Sequence, residues 1–163
     1  MFGKLKNLFS SSGIAVAAPV SGTVVPLSEV PDPTFAQGIL GPGAAVQPSE
    51  GRIFAPANGT VDMMFDTGHA VSMTTAEGAE LLIHVGIDTV NLKGQHYTAK
   101  CKSGDTVRKG DTLIEFDIDA IREAGYEVVT PVIVCNPDAF ASVKTEDAGS
   151  VQAGDDLLTL EKK

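Results

Sequence analysis

The chain has 163 residues, with 12 lysines and arginines against 21 aspartates and glutamates, and a formal net charge of −9. This length suits one domain with its own core, and a hydrophobic content of 43% excludes an intrinsically disordered chain. The acidic balance argues against nucleic-acid binding, which needs a basic face, and no apolar run reaches the roughly 18–20 residues that span a bilayer.

The first twelve residues carry two lysines and no acidic residue. Within them, Phe2, Leu5 and Phe9 recur at helical spacing, which is typical of a short amphipathic segment that lies on a membrane surface. Such a short segment is also a poor isolated helix in water, so a frayed terminus is the alternative. We expect a flexible segment over residues 1–13, with weak contact to anionic membranes left open, and a single domain over residues 14–163.

The two cysteines are solitary. Cys101 and Cys135 have no paired spacing, and two sulfurs are too few for a structural zinc site or a disulfide framework. No stretch resembles a secretory signal peptide. We therefore expect reduced thiols in a cytoplasmic protein, with membrane association as the alternative that the N-terminal segment leaves open.

From Ile14 onward the sequence favours short strands. Seventeen glycines and nine prolines separate runs of valine, isoleucine, leucine and threonine. Many short strands with frequent turns are typical of a sandwich or a barrel. One helical pattern, over residues 119–124, lasts only a turn or two. The predicted class is therefore all-β, with one or two very short helices.

Two pairs of segments repeat along the chain. APVSGTV at residues 18–24 resembles APANGTV at residues 55–61, and VRKGD at residues 107–111 resembles VQAGD at residues 151–155. The two offsets are unequal, so the chain does not fit a solenoid, whose period is fixed. Repeated strand–turn units of this kind predict a folded-back, pseudo-duplicated β fold.

A histidine lies in the most apolar strand of the sequence. In the run from Leu81 to Ile87, alternation directs one set of side chains to the core and leaves Leu82, His84 and Gly86 on the opposite face. Because Gly86 has no side chain, the sequence predicts open space, an open floor, next to the imidazole of His84. The core set consists of Leu81, Ile83, Val85 and Ile87.

A second histidine lies on the strand that we predict before it. Thr67, His69, Val71 and Met73 would share one face of that strand. A four-residue hairpin loop at residues 75–78 would make His69 the direct cross-strand neighbour of His84, with Cβ atoms roughly 4.5–5.5 Å apart. A slip of one residue would put the rings on opposite faces.

Three interpretations of such a histidine pair remain open on spacing alone. One imidazole could attack a phosphoryl group while the other donates hydrogen bonds to its oxygens. Thr67 could then orient the ring of His69 and fix its tautomer. Alternatively, the two rings could bind a metal ion, or they could be a partly buried structural pair.

Several longer motifs of the chain are distinctive. They are LLIHVGIDTVNLKG (81–94), TGHA (67–70), APVSG (18–22), EVPDPTFA (29–36), APANGTV (55–61), GDTVRKGDTLIEFD (104–117) and TPV (130–132). Together they resemble a known family, the glucose-type IIA domains of the bacterial phosphoenolpyruvate-dependent sugar phosphotransferase system. The resemblance covers roughly residues 14–163, and its most specific element is the run HVGIDTV inside residues 81–94.

The resemblance implies a fold and an activity. It implies an antiparallel β-sandwich with Greek-key and jellyroll features. His84 matches the position that carries the phosphoryl group on Nε2, His69 matches the second active-site histidine, and Thr67 matches its supporting residue. The phosphoryl group would arrive from the histidine-containing phosphocarrier protein and leave to a cysteine of a IIB domain, with no cofactor required.

The resemblance also implies a docking surface for these partners. Exposed apolar residues around a site suit transient docking, and the family has apolar residues at five matching positions. Two acidic residues, Asp32 and Asp88, flank the site and could meet a basic partner. The apolar candidates are Phe35, Ile39, Leu40, Phe65 and Val90.

Some family members have regulatory partners, and these remain open here. They include sugar permeases, glycerol kinase and adenylate cyclase, and a partner carboxylate can complete a zinc site with His69 and His84. A zinc-dependent hydrolase of a related duplicated β fold is the alternative function. Against it, no two histidines of this chain are separated by one residue, the spacing that such hydrolases use. The sequence does not determine the sugar.

Overall fold

The computed structural model describes residues 13–163, so the predicted amphipathic segment lies outside the described residues. Two short helices, α1 (Pro33–Ala36) and α2 (Ile118–Glu123), and three single turns of 3₁₀-helix at Leu27–Glu29, Thr89–Leu92 and Pro137–Ala139 accompany fourteen strands. The strands are β1 (Gly13–Ala17), β2 (Gly22–Pro26), β3 (Gly43–Pro48), β4 (Arg52–Phe54), β5 (Gly59–Met64), β6 (Ala70–Thr75), β7 (Glu80–His84), β8 (Tyr97–Ala99), β9 (Thr106–Val107), β10 (Thr112–Phe116), β11 (Thr130–Val134), β12 (Phe140–Thr145), β13 (Gly149–Val151) and β14 (Asp156–Lys162).

The strands form one large and two small antiparallel sheets. The large sheet has the order β13-β2-β3-β11-β7-β6-β5-β9, and the small sheets have the orders β1-β14-β12 and β4-β10-β8. One buried cluster joins all three sheets, because it contains Ile83 of the large sheet together with Ile53 and Leu158 of the small ones. The predicted antiparallel β-sandwich is confirmed.

The predicted pseudo-duplication appears as matching hydrogen bonds. The N–H of Ala18 donates to the carbonyl of Asp155 at 2.7 Å, and the N–H of Ala55 donates to the carbonyl of Asp111 at 2.8 Å. The carbonyl of each of these alanines accepts the N–H of the turn glycine in the partner segment, at 3.0 Å in both units. The two repeated segment pairs therefore form equivalent strand–turn contacts.

A second, smaller apolar cluster lies on the other face of the large sheet. The segment between β2 and β3, which includes α1, covers this face and buries Phe35. Asp32 caps α1, because its side chain accepts the N–H of Thr34 at 2.9 Å. The cluster consists of Val30, Phe35, Ala45, Ile87, Val129 and Ile133. It supports one side of the site described below.

The predicted helix at residues 119–124 is present with slightly different bounds. Helix α2 is Ile118–Glu123, because Asp117 precedes it as the N-cap and accepts the N–H of Ala120 at 3.0 Å. Over residues 13–163, no helix has the length and apolar character needed to cross a membrane.

Candidate functional site

The hairpin between β6 and β7 is one residue tighter than predicted. Ala70 lies opposite His84 in the ladder, and the N–H of Thr75 donates to the carbonyl of Ala79 at 2.8 Å. The loop therefore has three residues, 76–78, and Gly78 adopts a φ of +94° that closes this turn. The predicted register, with His69 directly opposite His84, is wrong by one residue.

The two imidazoles nevertheless lie side by side. His69 belongs to a turn before β6, where Gly68 adopts a φ of +71°, so the alternation of side chains along a strand does not apply to it. The carbonyl of His69 accepts the N–H of Val85 at 2.7 Å. The ring centroids of His69 and His84 are 4.9 Å apart, at an interplanar angle of 78°.

A backbone carbonyl fixes the tautomer of His84. Its Nδ1 lies 2.7 Å from the carbonyl oxygen of Gly86. A carbonyl only accepts hydrogen bonds, so Nδ1 must carry the proton and Nε2 keeps its lone pair. The predicted open space at Gly86 is absent, because Gly86 is buried and lies in a turn with a φ of +92°.

Thr67 bonds the other imidazole. Its hydroxyl lies within hydrogen-bond distance of His69 Nδ1, on the same turn. If the hydroxyl donates this bond, the proton of neutral His69 lies on Nε2. The hydroxyl of Thr67 therefore lies against the ring of His69, although the two residues share a turn and not a strand face; that it orients this ring and fixes its tautomer stays a prediction.

Burial keeps both imidazoles neutral. Burial, together with the neighbouring His84, lowers the pKa of His69 to about 4. Burial also lowers the pKa of His84, while the bond to Gly86 and the charges of Asp32 and Asp88 oppose that shift. Neither ring therefore carries a second proton at neutral pH, and the Nε2 lone pair of His84 is free to react.

The candidate docking residues differ in exposure. Ile39 is 67% exposed, Leu40 39% and Val90 51%. Phe35 is 4% exposed, so it does not offer a docking surface as predicted. Instead its ring supports His84, with centroids 5.1 Å apart.

Phe65 borders the imidazole of His69, and Met63 is exposed on the same face of the large sheet. Phe65 is half-buried, and its ring lies 5.4 Å from that of His69. Met63 is 52% exposed. It lies opposite Ser72 on β6, and Ser72 lies opposite Leu82 on β7, so Met63 is on the sheet face that carries His84. The sequence analysis missed Met63, because an irregular register in β5 makes its direction unreadable from alternation.

The two acidic candidates lie close enough to affect His84. The charges of Asp32 and Asp88 both raise its pKa. Asp32 also caps α1, and Asp88 is exposed in the left-handed conformation, with a φ of +60°. The site therefore has apolar side chains at its border and two negatively charged carboxylates beside them.

The described residues do not form a metal centre by themselves. Over residues 13–163, no group of three or more histidine, cysteine, aspartate or glutamate side chains could hold a metal ion. His69 and His84 would supply two ligands, whereas zinc sites in proteins use three or four. Any metal bound there would need ligands from another molecule.

Replacing Gly86 by alanine should destabilise the protein through steric clashes as well as through the strain of a positive φ. A Cβ at Gly86 would lie 2.8 Å from the carbonyl oxygen of Glu127 and 2.5 Å from Cγ2 of Thr89. We expect Gly86→Ala to lower the free energy of unfolding by about 2 kcal/mol more than Gly78→Ala does, as measured by urea denaturation.

Gly78→Ala is the matched control for this prediction. Gly78 has nearly the same φ, +94°, but a Cβ there would meet nothing within 4 Å. Equal losses of stability in the two variants would contradict the packing argument.

Comparison with known proteins connects this site to a family. The family model described as phosphoenolpyruvate-dependent sugar phosphotransferase system, EIIA 1, matches residues 14–140. The glucose-specific EIIA component of Oceanobacillus iheyensis is 44% identical over 158 residues, which cover 94% of this chain and 96% of that protein. The solved glucose permease IIA from Mycoplasma capricolum matches with a TM-score of 0.85 and 31% identity, over 90% of this chain and 95% of that one.

Longer relatives contain the same region as one part. The β-glucoside-specific EIIBCA component of Halalkalibacterium halodurans is 49% identical over 145 residues, or 89% of this chain. That match covers 23% of the relative, and the corresponding match in Bacillus subtilis covers 24%. This chain therefore spans about a quarter of the length of these β-glucoside relatives.

Proposed function

This chain belongs to the EIIA 1 family of the phosphoenolpyruvate-dependent sugar phosphotransferase system; we propose that it is a phosphoryl carrier in sugar uptake and that it carries the phosphoryl group on Nε2 of His84. The supporting observation is the hydrogen bond between His84 Nδ1 and the Gly86 carbonyl. Because that bond fixes the proton on Nδ1, the free lone pair lies on Nε2, beside the ring of His69.

The transfer step needs no change in the proton on His84. Nε2 attacks the phosphorus of a phosphohistidine donor, a new N–P bond forms, and the donor's N–P bond breaks with its electron pair returning to the donor imidazole. The proton on Nδ1 stays, and so does its bond to Gly86. A labile N–P bond requires mainly positioning and electrostatic stabilisation for transfer.

His69 acts as a hydrogen-bond donor to the transferred group. When Thr67 donates to Nδ1 of His69, the neutral ring presents Nε2–H toward the oxygens of the phosphoryl group on His84. Its low pKa, about 4, keeps the ring neutral at working pH. This donor is positioned before the reaction, so it stabilises the developing charge without reorganisation.

The donor is the histidine-containing phosphocarrier protein, and the acceptor is a cysteine of a IIB domain. The EIIBCA names of the β-glucoside relatives support a B component as the acceptor. Ile39, Leu40 and Val90 give both partners an apolar contact surface, and Asp32 and Asp88 favour a basic partner.

The proposed function also carries expectations about cellular location, the sugar and regulatory partners. We expect the protein to act in the cytoplasm. We also expect the sugar to be determined by the transport domain to which the phosphoryl group passes. Binding to permeases, glycerol kinase or adenylate cyclase would use the same docking surface, and a partner carboxylate could complete a zinc site with His69 and His84. No comparison supports the zinc hydrolase alternative.

Labelling and peptide mapping test the assignment of the phosphoryl group. The full chain, incubated with labelled phosphoenolpyruvate and the general transfer proteins, should take up about one phosphate that is labile in acid, as expected for an N–P bond. Cleavage after Glu80 and Lys93 isolates residues 81–93, which contain His84 and no other histidine. Label on a peptide with His69 or His96, or no label at all, would overturn the proposal.

A further inference from the structure

The Val85–Gly86 peptide, which is the second peptide after His84, is held by two hydroxyl groups, one from Thr89 in the turn after it and one from Tyr97 at the start of β8. The carbonyl oxygen of Val85 accepts the hydroxyl of Tyr97 at 2.7 Å and the hydroxyl of Thr89 at 2.8 Å. The N–H of the same peptide, on Gly86, donates to the carbonyl of Val129 at 3.1 Å. This peptide plane is therefore fixed on both sides.

That peptide directly precedes the carbonyl that fixes the tautomer of His84. The next peptide presents the Gly86 oxygen to His84 Nδ1, at 2.7 Å. Between them the backbone adopts a φ of +92°, which places the oxygen where Nδ1 can reach it. A rotation of the Val85–Gly86 peptide would misalign this acceptor, because a hydrogen bond weakens steeply away from linearity.

Tyr97 is itself firmly placed. It begins β8, and its ring stacks on Phe116 with centroids 6.3 Å apart. On the other side, a Cβ at Gly68 would lie 3.3 Å from the Cβ of Tyr97, so Tyr97 also packs against the turn that carries His69. Burial raises the pKa of Tyr97 to about 12, so its hydroxyl remains a donor at working pH.

We propose that Tyr97 is a positioning residue for phosphoryl transfer: its hydroxyl, together with that of Thr89, holds the Val85–Gly86 peptide so that the Gly86 carbonyl keeps the proton of His84 on Nδ1. This inference rests on the proposed function of His84 as the phosphoryl carrier. Tyr97 touches neither the imidazole of His84 nor the transferred group in this scheme, and it acts only through the backbone.

Tyr97→Phe tests the proposal in the unphosphorylated full chain. With histidine labelled by ¹⁵N, NMR should show a measurable share of the Nε2–H tautomer of His84 and a lower pKa of that ring, because the bond to Gly86 raises it. Phosphoryl acceptance at saturating donor should slow by about twofold to tenfold, which corresponds to the worth of one hydrogen bond. The KM for the donor protein should not change.

The second tyrosine supplies the matched control. Tyr126 is half-buried and packs against the core, so Tyr126→Phe removes a hydroxyl without touching Val85. The Tyr126→Phe protein should keep the tautomer and rate of the unaltered chain. Thr89→Val, which removes the other hydroxyl on Val85, should shift the tautomer in the same direction as Tyr97→Phe, and it decides the question if Tyr97→Phe fails to fold.

Two results would overturn the proposal. The first is an unchanged His84 tautomer in Tyr97→Phe, or in Thr89→Val where Tyr97→Phe does not fold, and the second is an equal shift in Tyr126→Phe. The tautomer measurement needs no phosphate. Label mapped to a residue other than His84 would therefore refute the proposed function, while the NMR result would still decide whether Tyr97 positions the imidazole.

Discussion

His84→Gln should lose phosphoryl acceptance almost completely. Glutamine occupies similar space but has no nucleophilic nitrogen, so no N–P bond can form at this position. We expect labelling from phosphoenolpyruvate, through the general transfer proteins, to fall by more than about 10³-fold. The measurement is the initial rate of label incorporation into the full chain.

His96→Asn is the matched control for this loss. His96 is exposed and has a φ of +75°, a conformation that asparagine tolerates. The His96→Asn protein should accept phosphate at the rate of the unaltered chain. Stable stoichiometric labelling of His84→Gln would show that another residue carries the phosphoryl group.

His69→Ala should separate acceptance of the phosphoryl group from its onward transfer. Nε2 of His84 is still free in this variant, because its tautomer depends on Gly86. The variant should therefore become phosphorylated. Transfer to the IIB cysteine should slow by about 10²-fold or more, the usual cost of removing one positioned donor to a developing negative charge. Single-turnover chase of the label into a IIB domain measures this step.

His69→Gln tests whether a hydrogen-bond donor is the missing element. The amide N–H of glutamine can donate a bond where alanine cannot. Onward transfer in His69→Gln should therefore lie between the rates of His69→Ala and the unaltered chain. Equal transfer rates in all three proteins, or a complete failure of His69→Ala to accept phosphate, would contradict the assigned role.

Local sequence patterns predicted much of the fold correctly. Alternation identified β7 with its core residues Leu81 and Ile83, and also Val85 directly after it; all three are at most 1% exposed. The repeated segments predicted the equivalent contacts made by Ala18 and Ala55. Both signals are local, because they depend on the period of a strand and on the turn chemistry of glycine.

Predictions that depend on backbone turns were less accurate. The loop before β7 is shorter by one residue, since Gly78 adopts a positive φ. His69, which the prediction placed in a strand, lies in the turn before β6. Ile87, predicted in the main core, lies in the smaller cluster with Phe35, because the turn at Gly86 ends β7 and redirects the chain. Alternation gives no information beyond such a residue.

The sequence by itself determined the antiparallel β class, the repeated units and the family, and it identified His84, His69 and Thr67 as the residues to test. Only the tertiary structure decided which nitrogen of His84 is free. That nitrogen depends on the direction of the Gly86 carbonyl, which follows from a positive φ at Gly86 and from the bonds that Tyr97, Thr89 and Val129 make to the preceding Val85–Gly86 peptide. Thr89 is close in sequence, but Tyr97 and Val129 come from other segments, so their convergence on this peptide is a property of packing and cannot be read from spacing along the chain.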